Sequence, residues 1–457
     1  MHACLLLGAT TPLSCGGEPS DGGSLQVPER YAFDSRFDAE DSVAYSGQTL
    51  RQVLIQSMKQ EFAVIQAEIE TEGTVFADGE VAARLRFYYT FDSDTAGSLP
   101  HGLSADPVPA QSTFDEISSG KNLREKVAGQ DPVGQSVDWN IDGIVGWPGN
   151  PGPDALIEQW IAEADALAVA FSSGEVTTSP DGVAIPVWYV DAGGRDYQQL
   201  LEKFLRGAVS YSQGTDDYLD DDVDGKGLRS DNVVFEPGDN YTALEHAWDE
   251  GFGYWGAARD LLAYDTETLV DAPAHDHDQD GAIDLMSEYN FGAARNAAKR
   301  DHAAHPDAPT DLSTQTMQAF LTGRALIAAA DGPLSETEFE ALRAQRDLAV
   351  DGWERAIAAT ALHYINDVLR DLQADAIDYA TVAKHWSELK GFTLALQFNP
   401  RMALTSAQFE TLHQYIGDQV RVEPAYLTDL VAARSILAQA YTIDPANVGD
   451  ELGEGGW

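Results

Sequence analysis

The chain has 457 residues, with 28 Lys and Arg set against 75 Asp and Glu, and a formal net charge of −47. Such a surface repels nucleic acid and anionic lipid headgroups, which excludes both as general partners, while it attracts cations and stays soluble in high salt. With 44% hydrophobic residues, the length suffices for one large domain or two ordinary ones.

The two cysteines are Cys4 and Cys15, so the body of the chain has neither a disulfide framework nor a cysteine-ligated zinc. Leu5-Leu6-Leu7-Gly8-Ala9 followed by Ser14-Cys15-Gly16-Gly17 resembles the end of a bacterial lipoprotein signal, although Pro12 stands where leucine is usual. Residues 1–24 are therefore read as a signal remnant and tether, with lipidation at Cys15. No later stretch approaches the length of a membrane span, so lipid would be the only membrane attachment.

Beyond an extended segment at 30–37, Leu50, Val53, Leu54 and Met58 form an apolar helical stripe. Residues 95–155 are rich in Gly, Pro, Ser and Asp and read as long irregular connections. A helix carrying Leu156, Ile157, Trp160 and Ile161 follows. Ile185 to Val190 has strand character, weakened by Pro186. From Tyr197 the periodicity is strongly helical, first to Tyr211. Further helices are expected at 241–263, 287–304, 313–330, 335–349, 351–373, 377–396, 406–416 and 424–441. This is a mainly α protein of antiparallel helical bundles, with two candidate halves (25–265 and 285–457) joined by an acidic loop at 266–284.

That loop contains Asp276, Asp278, Asp280 and Asp284 at positions one, three, five and nine, with Gly281 at six. This is how an EF-hand calcium loop starts, because alternate side chains converge on the ion while glycine makes the turn. The usual Glu at position twelve is replaced by Ser287, and Glu288 comes one residue late. A second loop offers Asp220, Asp222 and Asp224 with Asp231 at position twelve, but Leu228 replaces a ligand.

Two turns place a histidine three residues before a carboxylate and shortly before Gly-Phe: His246 with Asp249, and His385 with Glu388. Residues three apart share a helix face, so each pair can present nitrogen and oxygen to one ion. Imidazole and carboxylate suit iron, zinc or manganese, and facing helices of a bundle are where such ligands converge. Glu245 and Glu250 are outer or substitute ligands, and His363 is a weaker candidate. Arg295, Lys299 and Arg300 form one of the few basic clusters, read as a face paired with carboxylates, with a local anion site as the alternative.

Several segments together resemble an uncharacterised family of bacterial lipoproteins known only as a domain of unknown function. They are Tyr45-Ser46-Gly47-Gln48-Thr49, Tyr218-Leu219-Asp220, Trp248 to Tyr254, Ser287 to Gly292 and Glu388 to Phe392. His385-Trp386-Ser387-Glu388 is also similar, more remotely, to the His-x-x-Glu core of imelysin-like proteins, which implies a helical bundle in the cell envelope and a link to iron uptake. The glycine of that motif is absent here, and His246-Ala247-Trp248-Asp249 has Asp in place of Glu. The first reading is thus a non-enzymatic, periplasmic or cell-surface lipoprotein that binds iron or zinc at the two histidine turns, calcium at the acidic loops, and outer-membrane uptake proteins as partners. The alternatives are a metal-dependent hydrolase, with Glu250 or Glu388 as base, and a non-catalytic scaffold.

Overall fold

The computed structural model describes residues 25–457 apart from 131–133 and 331. Cys15 lies outside the described residues. The early helices are α1 (Ser46–Ala67), α2 (Glu80–Tyr89), α3 (Ser93–Ala96), α4 (Trp139–Asp142) and α5 (Pro153–Ser172). Next come α6 (Tyr197–Leu205), α7 (Ala243–Trp255), α8 (Thr266–Asp271), α9 (Gly292–His302) and α10 (Leu312–Ala329). The last are α11 (Glu336–Leu372), α12 (Tyr379–Ala395), α13 (Ser406–Ile416), α14 (Ala425–Ala440) and α15 (Pro445–Val448).

The mainly helical architecture follows from the apolar spacing. On α1, Leu50, Val53, Leu54, Met58, Phe62 and Ile65 recur every three or four residues and are all buried. α11 is the spine, with α10, α12, α9 and α14 against it, while α12 also packs on α6. One buried apolar cluster runs from Tyr31 to Trp457 and draws on residues from both 25–265 and 285–457.

Three elements differ from expectation. Residues 335–349 and 351–373 form the single 37-residue helix α11. Gly352 does not interrupt it; a Cβ there would meet Thr316 Oγ1 of α10 at 2.1 Å, so the glycine serves close packing. The stretch 185–190 forms no strand, and only isolated bridges occur among the described residues, including Val190 with Asp196. After α6 the chain continues in wide π turns at Arg206–Tyr211 and Gly214–Tyr218. Such turns often mark functional positions.

Among the described residues, no helix is long and apolar enough to cross a membrane.

Candidate functional site

Helix α7 starts with a capping box in which Thr242 and Glu245 satisfy each other's backbone amides. The remaining carboxylate oxygen of Glu245 accepts a hydrogen bond from Arg324 Nη1 at 3.0 Å. Asp249 accepts from Arg324 Nε at 3.0 Å, from the Tyr31 hydroxyl at 2.8 Å and from the Ala44 amide at 3.2 Å. Arg324 also donates to Ser42 Oγ at 2.8 Å and lies over the Phe33 ring. Arg324 and Asp249 are wholly buried, and Glu245 almost so. Burial pushes the Asp249 carboxyl up, against the pull of Arg324.

These two carboxylates therefore neutralise one interior guanidinium, which corrects their assignment as ligands of a histidine-centred metal. His246 turns elsewhere. Its Nδ1 donates to the Ala44 carbonyl at 3.0 Å, and its ring stacks on Tyr241. Its Nε2 stands 3.7 Å from Glu250, which in turn accepts from Gln48 at 2.7 Å.

The second turn, on α12, is likewise engaged within the protein. His385 Nδ1 donates to Asp371 at 2.7 Å, and although burial opposes its charge, Asp371 and Asp367 hold the imidazole above its ordinary range. Glu388 accepts from the Tyr364 hydroxyl at 2.9 Å and faces Lys203 Nζ at 3.3 Å. His363 stands 3.2 Å from Asp367, and burial pushes its pKa down to about 3.

The expectation that His246, Asp249, His385 and Glu388 share an ion is not what the fold builds. Among the described residues, the group whose ligand atoms converge, all within 4.8 Å of one another, is Asp276, Asp278 and Glu288. The repeated Gly-Phe has a packing origin instead. A Cβ on Gly251 would meet Leu219 at 2.8 Å, and one on Gly391 would meet Lys203 at 2.5 Å.

The loop at 276–288 is preorganised in detail. Asp276 accepts the amides of Asp280 at 3.1 Å and Gly281 at 3.0 Å, which curls the chain around its carboxylate. Glu288, buried, accepts the amides of His277 and Asp284, both at 2.8 Å, and so closes the loop from the far side. The residue one place late thus closes the loop with its carboxylate, from the place where an EF-hand loop has its last residue. Ser287, at position twelve, instead donates to Asp284 at 2.7 Å.

Asp284 also accepts from Gln111 at 2.9 Å, so it faces away from the other carboxylates, and Asp280 is exposed and accepts the Ala282 amide. The sequence pattern of loop spacing alone placed Asp280 and Asp284 with Asp276 and Asp278, and it left Glu288 out.

The loop at 220–231 is built differently. Asp220 pairs with Arg401 at 2.7 Å, and Asp221 pairs with Arg343 and with Arg346 at 3.1 Å. Asp231 folds back on the amides of Val233 and Val234, Asp222 is exposed and lies against Asp220, and Asp224 is exposed. Arginines take the charge here, which corrects the expectation of a second calcium loop at Asp220, Asp222, Asp224 and Asp231.

Fold and site together define a mainly helical protein carrying one EF-hand-like acidic loop. The chain belongs to the DUF4856 family, a domain of unknown function, whose model matches residues 28–416. No curated protein and no solved structure matches the chain. The imelysin-like resemblance rests on helical content and on His385-Trp386-Ser387-Glu388.

Proposed function

We propose that this protein binds one calcium ion in the Asp276–Glu288 loop, and that the ion fixes how the irregular N-terminal connections dock on the helical body. The observation that carries this reading is the convergence of Asp276, Asp278 and Glu288 within 4.8 Å, two of them already aimed by backbone amides. Three carboxylates so close repel one another in a chain of net charge −47, and a hard divalent cation with oxygen ligands removes that repulsion.

The loop is also a junction. Ala110 N donates to Ile283 O at 2.8 Å and Ile283 N to Val108 O at 3.0 Å, while the Gln111 side chain bridges Asp284 and Leu285. On its other side, Arg259 N donates to Ser287 O at 2.7 Å, and the Tyr45 hydroxyl donates to the Met286 carbonyl. Rigidity here therefore reaches α1, the turn after α7 and the 108–111 segment. An envelope location, with a lipid anchor at Cys15, belongs to the same reading and is supported by the signal-like pattern before that cysteine. Calcium modules outside the cell work with dissociation constants of about 10⁻⁴–10⁻³ M.

Thermal unfolding in calcium and in EDTA tests the proposal. At a hundredfold excess over the dissociation constant the ion adds about 2.7 kcal/mol. The melting temperature should rise with calcium in the native protein and not in Asp276→Asn. A melting temperature indifferent to calcium would leave the loop a plain acidic turn.

A further inference from the structure

Most cations of this chain are neutralised by the abundant carboxylates, and in one half-buried cluster the cations outnumber them. Lys59, Lys203 and Arg206 surround Glu202, with Lys59 at 2.6 Å, Lys203 at 2.7 Å and Arg206 at 3.1 Å, and Lys203 also faces Glu388. Helix α9 then brings Arg295 and Lys299 to the same place. Burial, and then the nearby Arg295, Lys203, Arg300 and Lys59, push the Lys299 ammonium down to about 8.

Arg295, Lys299 and Arg300 form no ion pair among the described residues, which corrects their reading as a carboxylate-paired face. Arg295 donates only to the Val270 carbonyl, and two guanidinium nitrogens of the buried Arg300 have no partner. Lys59, Lys203 and Arg206 thus gather round Glu202, with Lys203 also facing Glu388, and Arg295 and Lys299 add positive charge nearby. A half-buried excess of cations, with Lys203 buried among them, attracts a small anion.

A narrow cavity opens beside this cluster. Counting its mouth, it holds about 410 Å³ of empty space and is narrow within. Lys203, Arg206, Ser210 and Asn296 supply its polar lining, and Trp353 and Phe392 part of its apolar wall. Ser210, on the π turn after α6, is 3% exposed and its hydroxyl has no partner. A buried hydroxyl left unbonded marks a position where a ligand's acceptor belongs.

The N-terminus of α9 borders the same space. Ala293 lines it, no side chain caps the helix, and the Arg206 guanidinium lies so close to Gly292 that a Cβ there would meet Nη1 at 1.9 Å. Helix N-termini favour anions through their free amides and dipole. Lys299 follows Asn296 by three residues, on the same helix face.

We propose that this cavity, enclosed by α1, α6, α7, α9, α11 and α12, binds the oxyanion group of a small ligand, a phosphate or a carboxylate, with Arg206, Lys203 and Ser210 as direct donors and Lys299 and Arg295 as the attracting field. Charge-assisted bonds from a guanidinium and an ammonium, assembled away from bulk water, are the usual means of holding such a group.

Calorimetric titration of the calcium-free full-length protein with inorganic phosphate, and separately with succinate, tests this directly. Saturable binding of either anion is expected, about tenfold or more weaker in both Ser210→Ala and Lys299→Met. Phosphate binding that meets this criterion assigns a phosphate ligand, and succinate binding that meets it assigns a carboxylate. Lys299→Met removes an unpaired cation and should melt no lower than the native protein, which separates lost binding from lost folding. Absence of binding by both anions, or binding unchanged in the two variants, would overturn the proposal. Because the titration is run without calcium, its failure leaves the calcium reading intact.

Discussion

Arg324→Met is expected to cost about 3–5 kcal/mol of stability, since it leaves two interior carboxylates without their cation. Arg324 is fully buried and bonds Glu245, Asp249 and Ser42 at once, each at 2.8–3.0 Å. These three partners come from α7 and from the segment before α1, so the guanidinium holds separate elements to α10. Methionine fills much of the volume and supplies no charge, which confines the loss to electrostatics and hydrogen bonding. Urea denaturation monitored by tryptophan fluorescence measures it. A loss below about 1 kcal/mol would mean that water reaches the carboxylates, and the described burial would be wrong.

Asp196→Asn is expected to have the opposite sign. Asp196 is 3% exposed, and burial pushes its carboxyl up to about 7 from an ordinary 3.8. The folded protein therefore holds a proton that the unfolded chain has released between those values, and stability falls as pH climbs through that window. Above pH 7 the full penalty of an ionised buried carboxylate remains. Asparagine keeps an oxygen for the Gln199 amide, which Asp196 caps at 3.0 Å, and it never ionises. At pH 8 the variant should be more stable on the order of 2–4 kcal/mol, with the difference fading below about pH 4. A difference independent of pH would contradict the assignment. Asp216, pushed up to about 7 by burial as well, contributes to the same pH dependence.

The helical character was legible because it is local. The stripes on α1, α6 and α12 repeat every three or four residues, and no distant information is needed to see them. What failed was everything set by partners far along the chain. His246 and Asp249 do lie one turn apart, but Asp249 belongs to an arginine 75 residues later, and spacing cannot reveal that occupant. The break expected between 349 and 351 does not occur, and Gly352 just after it serves as a close contact with α10.

The acidic loop was half legible. Its Asp-x-Asp-x-Asp-Gly start fixed Asp276 and Asp278, whereas the closing residue depends on how the chain leaves the turn. Ser287 bonds back to Asp284, and that shifts the closure to Glu288. The basic run at 295–300 was visible as charge alone. Only the fold shows that Lys299 lies near Lys203 and Lys59 and that Arg300 lies near Asp367.

Isothermal titration of calcium into the EDTA-stripped protein, with the Asp276→Asn/Glu288→Gln variant alongside, tests the central claim most directly. One equivalent of calcium bound by the native chain, and none by the variant, is the expected result. No heat from the native chain, or equal binding in both proteins, would contradict a calcium site built from Asp276, Asp278 and Glu288.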